Sequence, residues 1–288
     1  MQPFDHYTPQ TVPEALDLLA RLNGQGVVNA GGTDLMLKMK AGFLKPAAII
    51  NIKQLNALQG ITFNLETGLK MGALTTLRNL TRSLLIQQHY PCLATAAGVM
   101  ASEQIRSFAT VGGNLCNGSP SADLAPPLIA LEGTAVIATQ SGTRYVPMEK
   151  FFLAPGKTAL HPGELLQAIH IPPPSGQTVY LKHAPRAFMD IAVVGVAVRL
   201  QMADGICQQA GIVLGAVAPT PLRVQAAEEI LVGQAVLAPQ IQQAADIAEK
   251  ACSPIDDVRG SAWYRRQMVN LLVRRGVEQC LQTTVNNK

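Results

Sequence analysis

Charge is scarce in this chain. Only 15% of its 288 residues are Asp, Glu, Lys or Arg, and the 23 basic and 19 acidic side chains are spread without a block of either sign. A formal net charge of +4 distributed in this way argues against nucleic acid as a partner, while leaving a phosphate-bearing small molecule open. Clustered metal ligands are also missing. The five cysteines, Cys92, Cys116, Cys207, Cys252 and Cys280, include no C-x-x-C pair and no Cys/His spacing able to close around zinc or an iron–sulfur cluster, so the chain is expected to hold no metal. Scattered thiols of odd number fit a reducing compartment. No apolar run approaches the ~18 residues of a membrane span. Met1 to Gln10 lacks a basic stretch followed by an apolar one. The expectation is a cytoplasmic protein without a membrane span.

What is present is apolar. Hydrophobic residues make up 48% of the chain, enough for a folded globule, and the length favours two domains over one. Thr11-Val-Pro-Glu14 carries a capping-box pattern and predicts a helix over 12–22. Val27 to Ala30 reads as a short strand running into Gly31-Gly32. Asp34 to Lys40 reads as helix or turn, and Ala47 to Ile52 as a buried strand. A hairpin is expected around Glu66-Thr67-Gly68, and strands and helices are expected to mix without the regular βαβ spacing of a doubly wound sheet. Thr75 to Ala101 turns helical, interrupted at Tyr90-Pro91. Phe108 to Val111 leads as a strand-like run into a second glycine pair, Gly112-Gly113. A short helix is expected within 120–131 and a hairpin at Ser141-Gly142. Pro172-Pro173-Pro174-Ser175-Gly176 is the best domain boundary, giving domains of 1–174 and 177–288. Beyond it, strands at 179–183, 191–200 and 212–216 precede helices at 223–232, 239–250 and 261–281, an α+β order.

The two glycine pairs carry the chemistry. Val27, Val28, Asn29, Ala30, Gly31, Gly32, Thr33 and Asp34 form the first segment; Ala109, Thr110, Val111, Gly112, Gly113 and Asn114 form the second. Paired glycines after a strand allow positive φ and leave backbone N–H groups uncovered by a Cβ, so each segment reads as an anion nest, and two nests could share one pyrophosphate. Neither matches G-x-G-x-x-G or G-x-x-x-x-G-K-[ST], which disfavours a nicotinamide-type Rossmann loop and a P-loop. An ordinary tight turn is the competing reading of either pair alone. Asp123 could accept from ribose hydroxyls or an adenine amine, or serve only as a helix-start residue. Lys182 and Arg186, ahead of Asp190, read either as cations for a phosphate or reduced flavin or as a solvated loop. No Ser/His/Asp or paired-carboxylate constellation exists, and no catalytic residue is assigned.

These segments, together with Gly72-Ala-Leu-Thr-Thr76, Ser119-Pro-x-Ala-Asp123 and Lys182-x-x-x-Arg186-x-x-x-Asp190-Ile-Ala, resemble the FAD-binding medium subunit of the molybdenum hydroxylases, the xanthine dehydrogenase and carbon monoxide dehydrogenase family. The likeness runs from Phe4 to Trp263-Tyr264-Arg265 and is nearest to bacterial xanthine dehydrogenase-like FAD subunits. It implies an α+β fold: a two-lobed FAD-binding domain of the vanillyl-alcohol-oxidase (PCMH) type, then a smaller C-terminal α+β domain. It further implies non-covalent FAD held by both glycine segments, with Asn114 and Asp123 close by and Leu166 and Lys182 approaching the flavin. The molybdenum cofactor and [2Fe–2S] clusters would belong to a large and a small partner subunit, and electrons would leave FAD for NAD+ or another acceptor. A free-standing flavin oxidase of the same fold is the alternative, disfavoured by a short second domain and 5% aromatic content. A non-enzymatic ligand-binding module is the other.

Overall fold

The computed structural model describes residues 2–186 and 189–286. The first lobe alternates short elements: β1 (Asp5–Tyr7), α1 (Val12–Leu22), β2 (Gly26–Asn29), α2 (Leu35–Lys40) and β3 (Ala48–Asn51). The capping residues of α1 act as its sequence predicts. Thr11 Oγ1 accepts from the Glu14 N–H at 3.3 Å, and the Glu14 carboxylate accepts from the Gln10 N–H at 2.6 Å. The helix buries Ala15, Leu16 and Leu18 and stops at Asn23, which is left-handed at φ 43°. The three strands are parallel in the order β1-β3-β2, so this lobe is a small βαβαβ unit. That corrects the expectation of no regular alternation. Strands of three or four residues, with β1 made of Asp5-His6-Tyr7, are too short and too polar to show a period in the sequence.

The second lobe holds β4 (Ile61–Asn64), β5 (Gly68–Gly72), six short helices, α3 (Leu77–Arg82), α4 (Leu84–His89), α5 (Pro91–Gly98), α6 (Glu103–Phe108), α7 (Val111–Cys116) and α8 (Ala125–Ala130), then β6 (Thr134–Thr139), β7 (Gly142–Pro147), β8 (Phe152–Ala154), β9 (Lys157–Thr158) and β10 (Leu165–Ile171). The hairpins expected at Thr67-Gly68 and Ser141-Gly142 form its edges, in an antiparallel sheet ordered β4-β5-β10-β6-β7. Its central strand, β10, was not among those expected from the sequence. The helical stretch breaks at Ser83 as well as at Tyr90-Pro91, because Ser83 Oγ caps α4 through the Ile86 N–H at 3.4 Å. Tyr90, fully buried, donates its hydroxyl to the Pro172 carbonyl at 2.7 Å and ties the helices to the chain leaving β10.

The second glycine pair does not follow a strand. α6 ends at Phe108, and Gly112-Gly113 lie in the first turn of α7. Between the helices, extended Ala109 and Thr110 make a single antiparallel bridge with Thr76, which gives the run its strand-like look without a strand.

The C-terminal part contains β11 (Gln177–His183), β12 (Val194–Ala203), β13 (Ile206–Gly215), β14 (Leu222–Arg223), α9 (Gln225–Leu231), α10 (Ala238–Ala251) and α11 (Ala262–Asn286), with the strands in an antiparallel sheet in chain order. Strands then helices is the order read from the sequence. β12 is buried without alternation from Val194 to Leu200 because both faces of the sheet are covered. Val196, Val198 and Leu200 join the core shared with α9, α10 and α11; Ala197 and Val213 join the core of the second lobe. Gly276 on α11 permits this approach, since a Cβ there would lie 2.7 Å from Val198 Cγ2.

Because β10 joins the two halves of the central sheet, Ile169, fully buried on it, should be among the costliest truncations. Ile169→Ala is expected to lose about 2–5 kcal/mol of unfolding free energy in urea titration. A loss under about 1 kcal/mol would contradict a tightly packed β10.

Candidate functional site

The turn after β2 and the link from α6 to α7 meet backbone to backbone. After Asn29 the chain turns through Gly32 at φ +78° into α2. A Cβ added to Gly31 would stand 2.1 Å from the Phe108 carbonyl oxygen and 3.0 Å from Ala109 Cα, so the first glycine segment can touch the second only with Gly31 as it is. Gly112 packs equally hard on the end of β5, where a Cβ would meet Ala73 Cβ at 2.8 Å and its carbonyl oxygen at 2.9 Å. Gly113 differs: its missing Cβ would meet only Thr110 Oγ1, at 3.0 Å. Between the two lobes lies a cavity of about 310 Å³, within the size range of small-molecule sites.

The N–H groups divide the labour between the two segments. In the second, Val111 donates to the Thr75 carbonyl, Gly112 to the Ala73 carbonyl, Gly113 to Thr110 Oγ1 and Asn114 to the Thr110 carbonyl. The first two amides hold α7 against the link between β5 and α3 and the other two close the cap of α7 itself, so two equivalent nests do not exist. In the first segment, the five amides from Gly31 to Leu35 have no acceptor among the described residues. A run of unsatisfied N–H groups beside a cavity is a ready anion site. Thr110, whose hydroxyl oxygen accepts from Gly113, keeps its own hydrogen for a ligand.

Of the residues singled out from the sequence, Val27, Val28, Ala30, Gly31, Gly32, Thr33, Asp34, Ala109, Thr110, Gly112, Gly113, Asn114 and Leu166 all line this cavity. Asn29 lies beneath it: Gly32 would place a Cβ 2.9 Å from Asn29 Oδ1, and that buried oxygen has no hydrogen-bond partner. Asn114 Oδ1 is likewise buried and unpartnered. Val111 is wholly buried in the second-lobe core. Leu165 and Leu166 reach the cavity from the start of β10, where a bulge between Leu166 and Ala168 turns the Gln167 carbonyl to the Ala73 N–H at 3.0 Å. Ala73 and Leu74, in the Gly72–Thr76 motif, and Leu77 complete an apolar wall. Sequence reasoning missed Lys38, Asn117 and Glu164 at the cavity, since no local motif sets them apart. Glu164 is held by Arg144 Nε at 2.6 Å and by the His161 N–H, and these bonds keep its carboxyl below the ordinary value.

Asp123 and Lys182 do not line the cavity; they pair with each other behind it. Lys182 Nζ stands 3.0 Å from Asp123 Oδ2 and 3.2 Å from the Val99 carbonyl, while the Tyr180 hydroxyl donates to Asp123 Oδ1 at 2.7 Å. The next residue, Met100, receives the Asn114 amide on its sulfur at 3.5 Å, which links the pair to the cavity edge. Gly195 makes this possible, since a Cβ there would sit 2.6 Å from the Tyr180 oxygen. Arg186 instead pairs with Asp190 at 3.3 Å, mostly in solvent.

Burial pushes the Asp123 carboxyl above its ordinary value, and Lys182 and Tyr180 pull it back down. A carboxyl raised in this sense contributes most stability below its unfolded value of 3.8, and loses it as pH rises through the folded value. Lys182→Met removes the main counterweight. The variant is expected to lose about 3–5 kcal/mol at pH 7 and less at pH 4, with Asp123→Asn in the same chain recovering part of it. Equal losses at both pH values would refute an ionised Asp123 as the cause.

The comparisons with known proteins agree with this architecture. Residues 2–174 match the family model described as the FAD binding domain in molybdopterin dehydrogenase, and residues 179–280 match the CO dehydrogenase flavoprotein C-terminal domain. The xanthine dehydrogenase FAD-binding subunit of Escherichia coli O157:H7 is 31% identical, over 96% of this chain and 95% of its own length. The carbon monoxide dehydrogenase medium chain of Afipia carboxidovorans is 35% identical, over 96% of both chains. Among solved structures, a carbon monoxide dehydrogenase chain from Hydrogenophaga pseudoflava superposes with a TM-score of 0.94 at 34% identity, covering 98% of this chain and 99% of that one. A two-lobed N-terminal body followed by an α+β body is thus shared over 98% of this chain, and the chain belongs to the FAD-binding medium subunits of the xanthine dehydrogenase and carbon monoxide dehydrogenase family of oxidoreductases.

Proposed function

We propose that this chain is the electron-transfer subunit of a multi-subunit molybdenum hydroxylase, holding FAD non-covalently in the cavity between its lobes. In this reading a large partner subunit carries the molybdenum cofactor and a small one carries [2Fe–2S] clusters. Bound here, FAD would supply the redox chemistry that links those clusters to NAD+ or another acceptor, while this chain's residues hold and orient it. The free amides of Gly31 to Leu35 are the observation that carries the proposal.

The residues fit such a dinucleotide. The amides and the Thr110 hydroxyl would hold the pyrophosphate, Gly32 and Gly113 leave it room, and Ala73, Leu74, Leu165 and Leu166 exclude water from a ring system. Asn114, which lines the cavity, presents a buried side-chain oxygen without a partner, ready to accept from a polar group. Asp123 and Lys182 would serve from behind, fixing Val99 and Met100 against Asn114. The protein supplies binding and orientation, so the lack of a general acid or base is no obstacle. A subunit rather than a free-standing oxidase is favoured because the relatives matched end to end are themselves named as subunits or medium chains. The five scattered cysteines, with no C-x-x-C pair among them, suit a reducing compartment such as the cytoplasm.

The purified chain is expected to show flavin absorption and to release FAD on heating, with a mass that identifies it. Gly113→Val, at a cavity-lining position where a Cβ would meet only Thr110 Oγ1, at 3.0 Å, should keep its native circular dichroism spectrum and lose the flavin; Gly32→Val should lose it too. Full FAD occupancy in both variants would sink the assigned site. Co-expression with candidate large and small subunits, followed by co-purification at fixed stoichiometry, separates a subunit from an oxidase that acts alone.

A further inference from the structure

Three charged side chains line the cavity: Asp34, Lys38 and Glu164. Two are acids. Glu164 is neutralised by Arg144, which approaches it with Nε at 2.6 Å. Asp34 has no ion pair among the described residues; its only recorded side-chain partner is the Asn117 amide, with Nδ2 at 3.4 Å from Asp34 Oδ1. A bound dinucleotide would bring two more negative charges beside that carboxylate. Backbone amides stabilise phosphate oxygens but carry no net charge to cancel them. The cavity therefore needs a cation, and Lys38 is the one that lines it.

Lys38 is placed for that role. It lies one helical turn beyond Asp34, its N–H bonded to the Asp34 carbonyl at 3.0 Å, so it follows directly on the free amides of Gly31 to Leu35. Its ammonium group is committed to no carboxylate among the described residues. Nζ donates to the neutral Asn117 Oδ1 at 2.6 Å, which leaves two of its three hydrogens. Asn117, at the C-terminal end of α7, thus holds Lys38 with its oxygen and Asp34 with its nitrogen, and spans from one glycine segment's helix to the other's.

We propose that the Lys38 ammonium group is the counter-charge to the diphosphate of the bound dinucleotide, with Asn117 as the residue that aims it. This rests on the flavin-site reading above. Lys38 would add to affinity for any ligand with the diphosphate and nothing to affinity for the ring system alone.

The test uses the full chain stripped of flavin, titrated at low salt with FAD, ADP and riboflavin. Lys38→Met is expected to weaken FAD and ADP about tenfold, as for a lost hydrogen bond to a charged group, and to leave riboflavin unchanged. The FAD deficit should shrink in high salt, as screening removes the charge term from the parent protein. Lys40→Met makes the same charge change two residues on, outside the cavity lining, and should bind all three ligands as the parent does. Asn117→Ala should fall between the parent and Lys38→Met for FAD and ADP. Unchanged FAD affinity in Lys38→Met, an equal loss for riboflavin, or an equal loss in Lys40→Met would each overturn the assignment, and parent-like affinity in Asn117→Ala would overturn the role of Asn117. A parent chain that binds none of the three ligands would overturn the flavin reading itself, and the Lys38 assignment with it.

Discussion

The Phe108 carbonyl oxygen stands where a side chain on Gly31 would begin, and this backbone contact places the two lobes against each other at the cavity. Any larger residue at Gly31 would drive the first segment off the second. The amides of Gly31 to Leu35 and the Thr110 hydroxyl could then no longer face one ligand. Gly112 applies the same constraint one layer deeper, holding α7 on the end of β5. Gly31 and Gly112 are therefore required by packing and Gly32 by its left-handed conformation, while Gly113, closely met only by Thr110 Oγ1, lines the cavity where the proposed ligand would lie.

That difference explains why the two segments, so alike in sequence, do different work. An amide can serve a ligand only if the fold has not already used it. The second segment gives its amides to Ala73, Thr75 and Thr110, which fixes it in place; the first keeps its own free beside the cavity, as the proposed binding loop requires. Buried charge follows a similar logic. Asp123 and Lys182 are stabilised chiefly by each other and by Tyr180, at a desolvation cost that apolar residues would avoid. Their position, one residue from the contact between Met100 and Asn114, puts that cost to use in bracing the cavity's edge.

The C-terminal sheet contributes by burial on both faces. Val196, Val198 and Leu200 face α9 to α11, and Ala197 faces the second lobe, so β12 carries the connection between the two bodies. Tyr180 and Lys182, on the neighbouring β11, reach into the second lobe from this sheet. The sheet is thus the platform that carries the Asp123 partners as well as a core in its own right.

Much of this was legible in the chain itself. The capping box of α1, both hairpins, the strand-then-helix order of the C-terminal part and the identity of the glycine segments all rest on local rules, in which a residue's own backbone preference or period decides. Most of the residues named from those segments do line one cavity. Other features were decided only by tertiary contact. β10 is central because β5 and β6 flank it, the first-lobe strands are parallel because α1 and α2 return the chain, and the Gly112 amide is spent because the Ala73 carbonyl reaches it. Lys38 and Asn117 are 79 residues apart, and nothing local marks either one. Sequence determined which segments can turn without a Cβ; only the folded chain decided which amides stay free, because a hydrogen bond to a distant carbonyl leaves no trace in the residues beside it.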